Sequence, residues 1–265
     1  MTGTSKLSSK LLATMIIGIY SQLVGAQAST GPNKVYIEQI GSTNTVTIQQ
    51  VGGTNNVGGT AGNVSVAGTG VTTMTPTAPS ASNYATINGS TNTVAITQTG
   101  DNNSAQYNIK GSNNAYTSTI TGNNNQSKLT MGDTNTNTLR STVTETVTGN
   151  NNLLIQNVVG NDITSTTTIQ GSDNQVTKNL LSSKGTSTLS ITGSNNVINA
   201  QQTDAAGADG HVLTNVISGD YNSVTTQQQG SNDTTIDMKT TGSHNTITVR
   251  TSSSSIASPV TAIAR

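Results

Sequence analysis

Any chemistry in this 265-residue chain falls to few residues: 11 Asp and Glu, 11 Lys and Arg, two His and no Cys. His211 and His244 read as a loop and a turn residue with no recurring His spacing, so they offer neither a metal-ligand set nor a base for a nucleophile. No two carboxylates are spaced for paired acid and base work. Asp101, Asp133, Asp162, Asp173 and Asp220 each follow a glycine by one or two positions. Calcium binding by such aspartates needs a nine-residue Gly-Gly-x-Gly-x-Asp period, which is missing. Turn chemistry, and charge that discourages sheet-to-sheet association, account for them instead. The expectation is a non-enzyme without cofactor, metal or small-molecule substrate.

The regular chemistry belongs to amides and glycines. Gly41, Gly52, Gly89, Gly100, Gly111, Gly122, Gly132, Gly149, Gly160, Gly171, Gly193, Gly219, Gly230 and Gly242 recur mostly at intervals of 11. Three residues after 12 of these 14 glycines stands an Asn: Asn44, Asn55, Asn92, Asn103, Asn114, Asn125, Asn135, Asn152, Asn174, Asn196, Asn222 and Asn245. Two residues before 12 of them stands Gln, Ile or Val, with Gln at Gln39, Gln50, Gln98 and Gln228. Between glycines the chain alternates, as in Asn92, Val94, Ile96, Gln98 on one face and Thr91, Thr93, Ala95, Thr97 on the other. Period two over seven residues is a half-buried strand, and Gly-x-x-Asn is a turn. Pro32, Pro76, Pro79 and Pro259 all lie outside the repeats, where they delete no ladder bond.

One 11-residue unit is therefore a strand plus a turn, and two units make a 22-residue coil that needs a neighbour on each side to bury its apolar stripe. Stacked at roughly 4.8 Å per rung, inward Gln and Asn can bond their own counterparts while Val and Ile fill the space between two sheets. The expected fold is an all-β, two-sheet β-solenoid of about eight such rungs. The composition agrees, because 113 residues are Thr, Asn or Ser, and Phe and Trp are absent, so a thick globular core cannot form. Charge of 8% and four prolines argue against simple disorder.

Lys6 and Lys10, an apolar run from Leu11 to Val24 and the small-x-small site Ala26-Gln27-Ala28 read as a signal peptide over 1–28, cleaved after Ala28. Its removal leaves 9 basic against 11 acidic residues, a net charge of −2, which makes no case for nucleic acid. The remaining chain divides into first repeats at 29–56, a Gly-, Thr- and Pro-containing linker or loop after the first rung at 57–83, repeats at 84–250 and a Ser-rich tail at 251–265. Two irregularities interrupt the repeats: a 17-residue interval from Gly132 to Gly149, where Val143, Glu145 and Val147 keep the alternation, and a polar insertion at 203–211. The tail shows no cap for the last strand.

The run Gln39-x-Gly41-x-x-Asn44-x-Val46-x-x-x-Gln50, followed by Gln50-x-Gly52-x-x-Asn55, resembles the repeat of curlin, the secreted subunit of curli fibres, with Val where that family usually has Ala. The likeness extends over most of 35–250. It implies a bacterial extracellular functional amyloid that joins copies of itself end to end and contributes to adhesion, aggregation and biofilm matrix. A nucleator subunit and an outer-membrane secretion pore are the further partners it implies. In that reading the working residues are the inward amides Gln39, Asn44, Gln50, Asn92, Gln98, Asn103, Asn114, Asn125, Asn152, Asn174, Asn196, Asn222, Gln228 and Asn245, with the glycines shaping the arcs. Two other functions fit a Thr-rich solenoid. Outward Thr at 43, 45, 47 and at 91, 93, 97, 99 resemble the ice-binding face of some antifreeze proteins. A β-helical enzyme acting on polysaccharide requires a cluster of Asp, Lys or Arg on one face, which scattered charges do not supply.

Overall fold

The structure is a computed structural model describing residues 16–21, 31–58, 84–132, 136–204, 210–230, 233–253 and 260–264. Its described residues form strands and turns only, arranged as two parallel sheets of ten and twelve strands. Sheet one runs through Thr45–Val51, Thr93–Thr99, Ala115–Thr121, Thr142–Thr148, Thr164–Gln170, Thr186–Thr192, Val212–Ser218 and Thr235–Thr241. Sheet two alternates with it along the chain through Ser104–Ser112, Gln126–Met131, Leu153–Val158, Gln175–Leu181, Val197–Asp204, Ser223–Gly230 and Thr246–Ser253. The chain thus winds as a β-solenoid of about eight turns. The alternation reads directly as burial: Asn92, Val94, Ile96 and Gln98 are buried, and their outward neighbours are not. Register is strict, with Val94, Tyr116, Val143, Ser165, Ser187, Leu213 and Ile236 in one column of sheet one. A slip of one residue would turn every apolar side chain outward, so the buried stripe itself fixes the register.

Several boundaries differ from the sequence expectation. The insertion follows the complete first rung, as expected, but falls inside the second rung rather than between the two. Asn56–Val57 and Ala85–Asn88 both pair with Ser104–Ser112, so the insertion interrupts a single strand position, and Val57 is buried core. Residues 59–83 lie outside the described residues. The blocks 29–56 and 84–250 are one continuous stack, since Thr45–Val51 pairs directly with Thr93–Thr99. The long interval before Gly149 is an enlarged arc, where Thr138 takes the column position of a glycine beside Gly111. At 203–211, Thr203 and Asp204 continue a strand, and His211, in the connection between strands as expected, is fully buried. The tail is not wholly outside the stack either: Val260–Ala264 pairs with Ile236–Thr240. At the other end Ile16–Ser21, within the segment read from sequence as a signal peptide, lies parallel along Thr45–Gln50.

Candidate functional site

The 22-residue coil has two turns, and the structure separates the amides and glycines into two columns accordingly. On one edge the ladder is unbroken: Asn33, Asn55, Asn103, Asn125, Asn152, Asn174, Asn196, Asn222 and Asn245. Each Asn backbone N–H donates to the Oδ1 of the Asn one rung earlier, as from Asn174 to Asn152 at 3.1 Å and from Asn196 to Asn174 at 3.0 Å. From Asn125 to Asn245 the side-chain Nδ2 donates to that same oxygen. Between Asn55 and Asn196 the Nδ2 also reaches forward to the carbonyl of a glycine in the next rung, for example Gly193 from Asn174 at 2.8 Å. Gly52, Gly100, Gly122, Gly149, Gly171, Gly193, Gly219 and Gly242, all at positive φ, form the matching glycine column. These buried amides are satisfied because every rung supplies what the next one lacks.

The opposite edge is variable. Its ladder starts with Asn44, Asn92 and Asn114 and continues as Ser141, Ile163, Gly185, His211 and Thr234. His211 Nδ1 stands 3.2 Å from the Thr234 backbone N–H, doing there what an Asn oxygen does elsewhere. The glycine column on this edge is Gly41, Gly89, Gly111, Thr138, Gly160, Ser182, Asp204 and Gly230. One edge carries the constant repeat, and the other accommodates its exceptions.

The Gln residues do not form one continuous ladder. Gln50 Nε2 donates to Gln98 Oε1 at 2.8 Å and Gln202 Nε2 to Gln228 Oε1 at 2.9 Å, two pairs near opposite ends of the stack. Gln202 has no repeat glycine two positions later, which is why the spacing misses it. Gln39 belongs to neither pair. It faces inward on the first strand of sheet two, above Ile87 and Ile109, and its Nε2 has no partner. Asp101, Asp220 and Asp233 accept the backbone N–H of Gly53, Ser194 and Gly210 from the preceding rung, in keeping with turn chemistry. Arg140 and Asp162 form a two-pronged ion pair at 2.7 and 2.8 Å on the variable edge.

Sequence spacing passed over a polar network that crosses the middle of the core. Tyr116 and Ser127 hydroxyls donate to Glu145 Oε2 at 2.9 and 2.5 Å, and Gln156 Nε2 donates to Oε1 at 2.8 Å. Ser165 Oγ donates to Gln156 Oε1, and Lys178 Nζ in turn donates to Ser165 Oγ and Thr167 Oγ1 at 2.9 and 3.0 Å. Glu145 and Lys178 are at 0% exposure, so neither can meet a dissolved substrate. Burial raises the Glu145 carboxyl, opposed by bonds from Ser127, Gln156 and Tyr116. Burial lowers the Lys178 ammonium to about 7, opposed by the charge of Glu145. The available signal was a charged residue at an inward phase: Glu145 between Val143 and Val147, and Lys178 between Val176 and Leu180.

Lys178 makes stability depend on pH in a definite direction. Above about pH 7 the folded chain holds this lysine neutral, while the unfolded chain keeps the proton until near its ordinary value of 10.5. Stability therefore rises with pH across that window, at about 1 kcal/mol per pH unit from this group. Urea unfolding at pH 7, 8 and 9 is expected to show the rise. Lys178→Met should flatten the slope and raise stability at pH 7, since Ser165 keeps Gln156 as a partner. An unchanged slope would show that Lys178 keeps its proton when buried.

The outward face of sheet one is the second regular array. Across the five strands from Thr93–Thr99 to Thr186–Thr192, 16 of the 20 outward positions are Thr, the others being Ala95, Ala115, Gln170 and Ser190. Their spacing is roughly 4.8 Å between strands and roughly 6.8 Å along them. Thr43 and Thr91 are not part of it, because both sit in turns at φ near +60°. Among the described residues no three His, Asp or Glu side chains gather as a metal site. The chain matches no family model, no curated protein and no solved structure.

Proposed function

We propose that this chain is a secreted structural subunit that assembles into extracellular curli-like amyloid fibres serving adhesion, aggregation and biofilm matrix. The observation that carries this reading is the state of the two ends of sheet two. Val35 and Ile37 at the first strands, and Ile247 and Val249 at the last, point inward like the core but stay only half-buried, because among the described residues no rung covers them. An unpaired parallel edge with an apolar inner face is a template for another strand. The likeness of the Gln39 to Asn55 run to the curlin repeat supports the same reading, and with it export through an outer-membrane pore and initiation by a nucleator. Residues 29–265, incubated at micromolar concentration, are expected to form fibres with reflections near 4.8 and 10 Å. A chain that stays monomeric for days overturns the proposal.

The Thr array favours a second reading. A rigid, uncharged lattice of hydroxyl and methyl groups presents ordered water with a fixed repeat, as an ice-binding face does, and β-branched Thr holds its rotamer. Thermal hysteresis in the same preparation would favour this reading, and its absence would remove it.

A further inference from the structure

The open ends of sheet two are not only exposed but matched, column by column. Following the pairings through the stack, Gln39 shares its column with Thr251, Val35 with Ile247 and Glu38 with Arg250. The constant Asn ladder begins at Asn33 and ends at Asn245. We propose that a second copy of this chain docks head to tail in the register that sets Asn245 against Asn33 and Thr251 against Gln39, continuing every column of sheet two across the joint. This rests on the fibre reading and specifies its contact.

Three independent features select that register. Gln39 Nε2 and Thr251 Oγ1 are both enclosed without a hydrogen-bond partner, and they stand in the same column at opposite ends. The hydroxyl oxygen of one copy can accept from the amide of the next, so docking satisfies two groups that the single chain leaves unmet. Outside the sheet, the same register brings Glu38 beside Arg250, the only outward position of the joint at which opposite charges meet. The ladder polarity also fits: each Asn Oδ1 serves the N–H of the following rung, and among the described residues no rung follows Asn245. A two-residue shift would place Asn245 under Val35 and end the ladder, and a one-residue shift would put Ile247 and Val249 against outward side chains.

In sheet one the edge of Thr45–Gln50 is occupied by Ile16–Ser21, whereas the other end finishes in Val260–Ala264. Tests therefore use the chain from Ser29, in which that edge is open.

The absence of native cysteine makes the register directly readable. E38C/R250C and Y36C/T248C each place two thiols in one column across the joint, while E38C/T248C sets them one outward position apart. Fibres grown reduced, then oxidised and dissolved in detergent, are expected to give ladders of covalent multimers for the first two variants. The third should give mainly monomer, and reduction should collapse the ladders. Fibres that cross-link through E38C/T248C, or through neither matched pair, overturn the register while leaving fibre formation standing. Y36C/T248C keeps the Glu38 and Arg250 charges, so it reports the register even where the first variant loses assembly. Failure of the unsubstituted chain to form fibres overturns the fibre reading and the joint with it.

Discussion

Gly171→Ala is expected to be among the most damaging single substitutions in the chain, costing roughly 3 kcal/mol or more and disrupting the rungs on either side. A Cβ built there would lie 1.9 Å from the Gly193 carbonyl oxygen and 2.6 Å from its carbon, which are backbone atoms held by the next rung. The residue also sits at φ +135°, where a side chain adds strain of about 1–3 kcal/mol. Relief would require separating two rungs, which breaks their ladder bonds and opens the buried stripe between them. Gly185→Ala is the informative contrast. A Cβ at Gly185 meets the Oγ of Ser182, a side-chain atom that can rotate away, so its effect should be much smaller. Urea unfolding followed by far-UV circular dichroism distinguishes the two. Equal stabilities would show that the rungs are not stacked as closely as described.

Asn174→Ala is expected to cost roughly 2–5 kcal/mol, because it leaves the Asn196 backbone N–H without its acceptor and the Gly193 carbonyl without the donated amide, both in a buried edge. The loss is local to two rungs, so stability and assembly should fall together. Thr168→Ala, on the outward face of the same coil, removes a half-exposed hydroxyl and methyl and should cost no more than about 1 kcal/mol. Because Asn152 and Asn174 share one hydrogen bond chain, the double variant Asn152→Ala with Asn174→Ala should cost less than the sum of the two. Strict additivity would contradict the ladder.

What the sequence discloses follows from how local each rule is. The 11-residue spacing, the alternation and the Gly-x-x-Asn turn are all decided within one unit, so the two-sheet solenoid and most ladder positions could be read directly. Separating the amides into a constant and a variable edge requires sorting alternate units, and substitutions such as Ile163, Gly185 and His211 obscure that sorting. Gln39 looked like Gln50 by spacing, yet it stands on the other sheet at an open end, a distinction visible only once strands are assigned to rungs. The Glu145 and Lys178 network escaped for a different reason. Each residue is a single charge in an otherwise ordinary strand, and most of its partners come from the opposite sheet, so no pattern along one strand marks them.

The insertion at 59–83 has a consequence for the order in which the solenoid closes. Along most of the stack a rung bonds to residues about one coil away, as Asn114 to Asn92 at a separation of 22. Beyond Val35, which pairs with Val57 across 22 residues, joining the first rung to the second instead spans 48 residues, as Asn92 to Asn44 and Gln50 to Gln98. Closing the longer segment costs about 0.7 kcal/mol more in chain entropy. Folding by successive addition of coils is therefore fastest through the uninterrupted interior and slowest at the first rung. The strand bearing Ile37 and Gln39, joined to Ala85–Asn88 across the insertion, becomes the last face of the molecule to be completed.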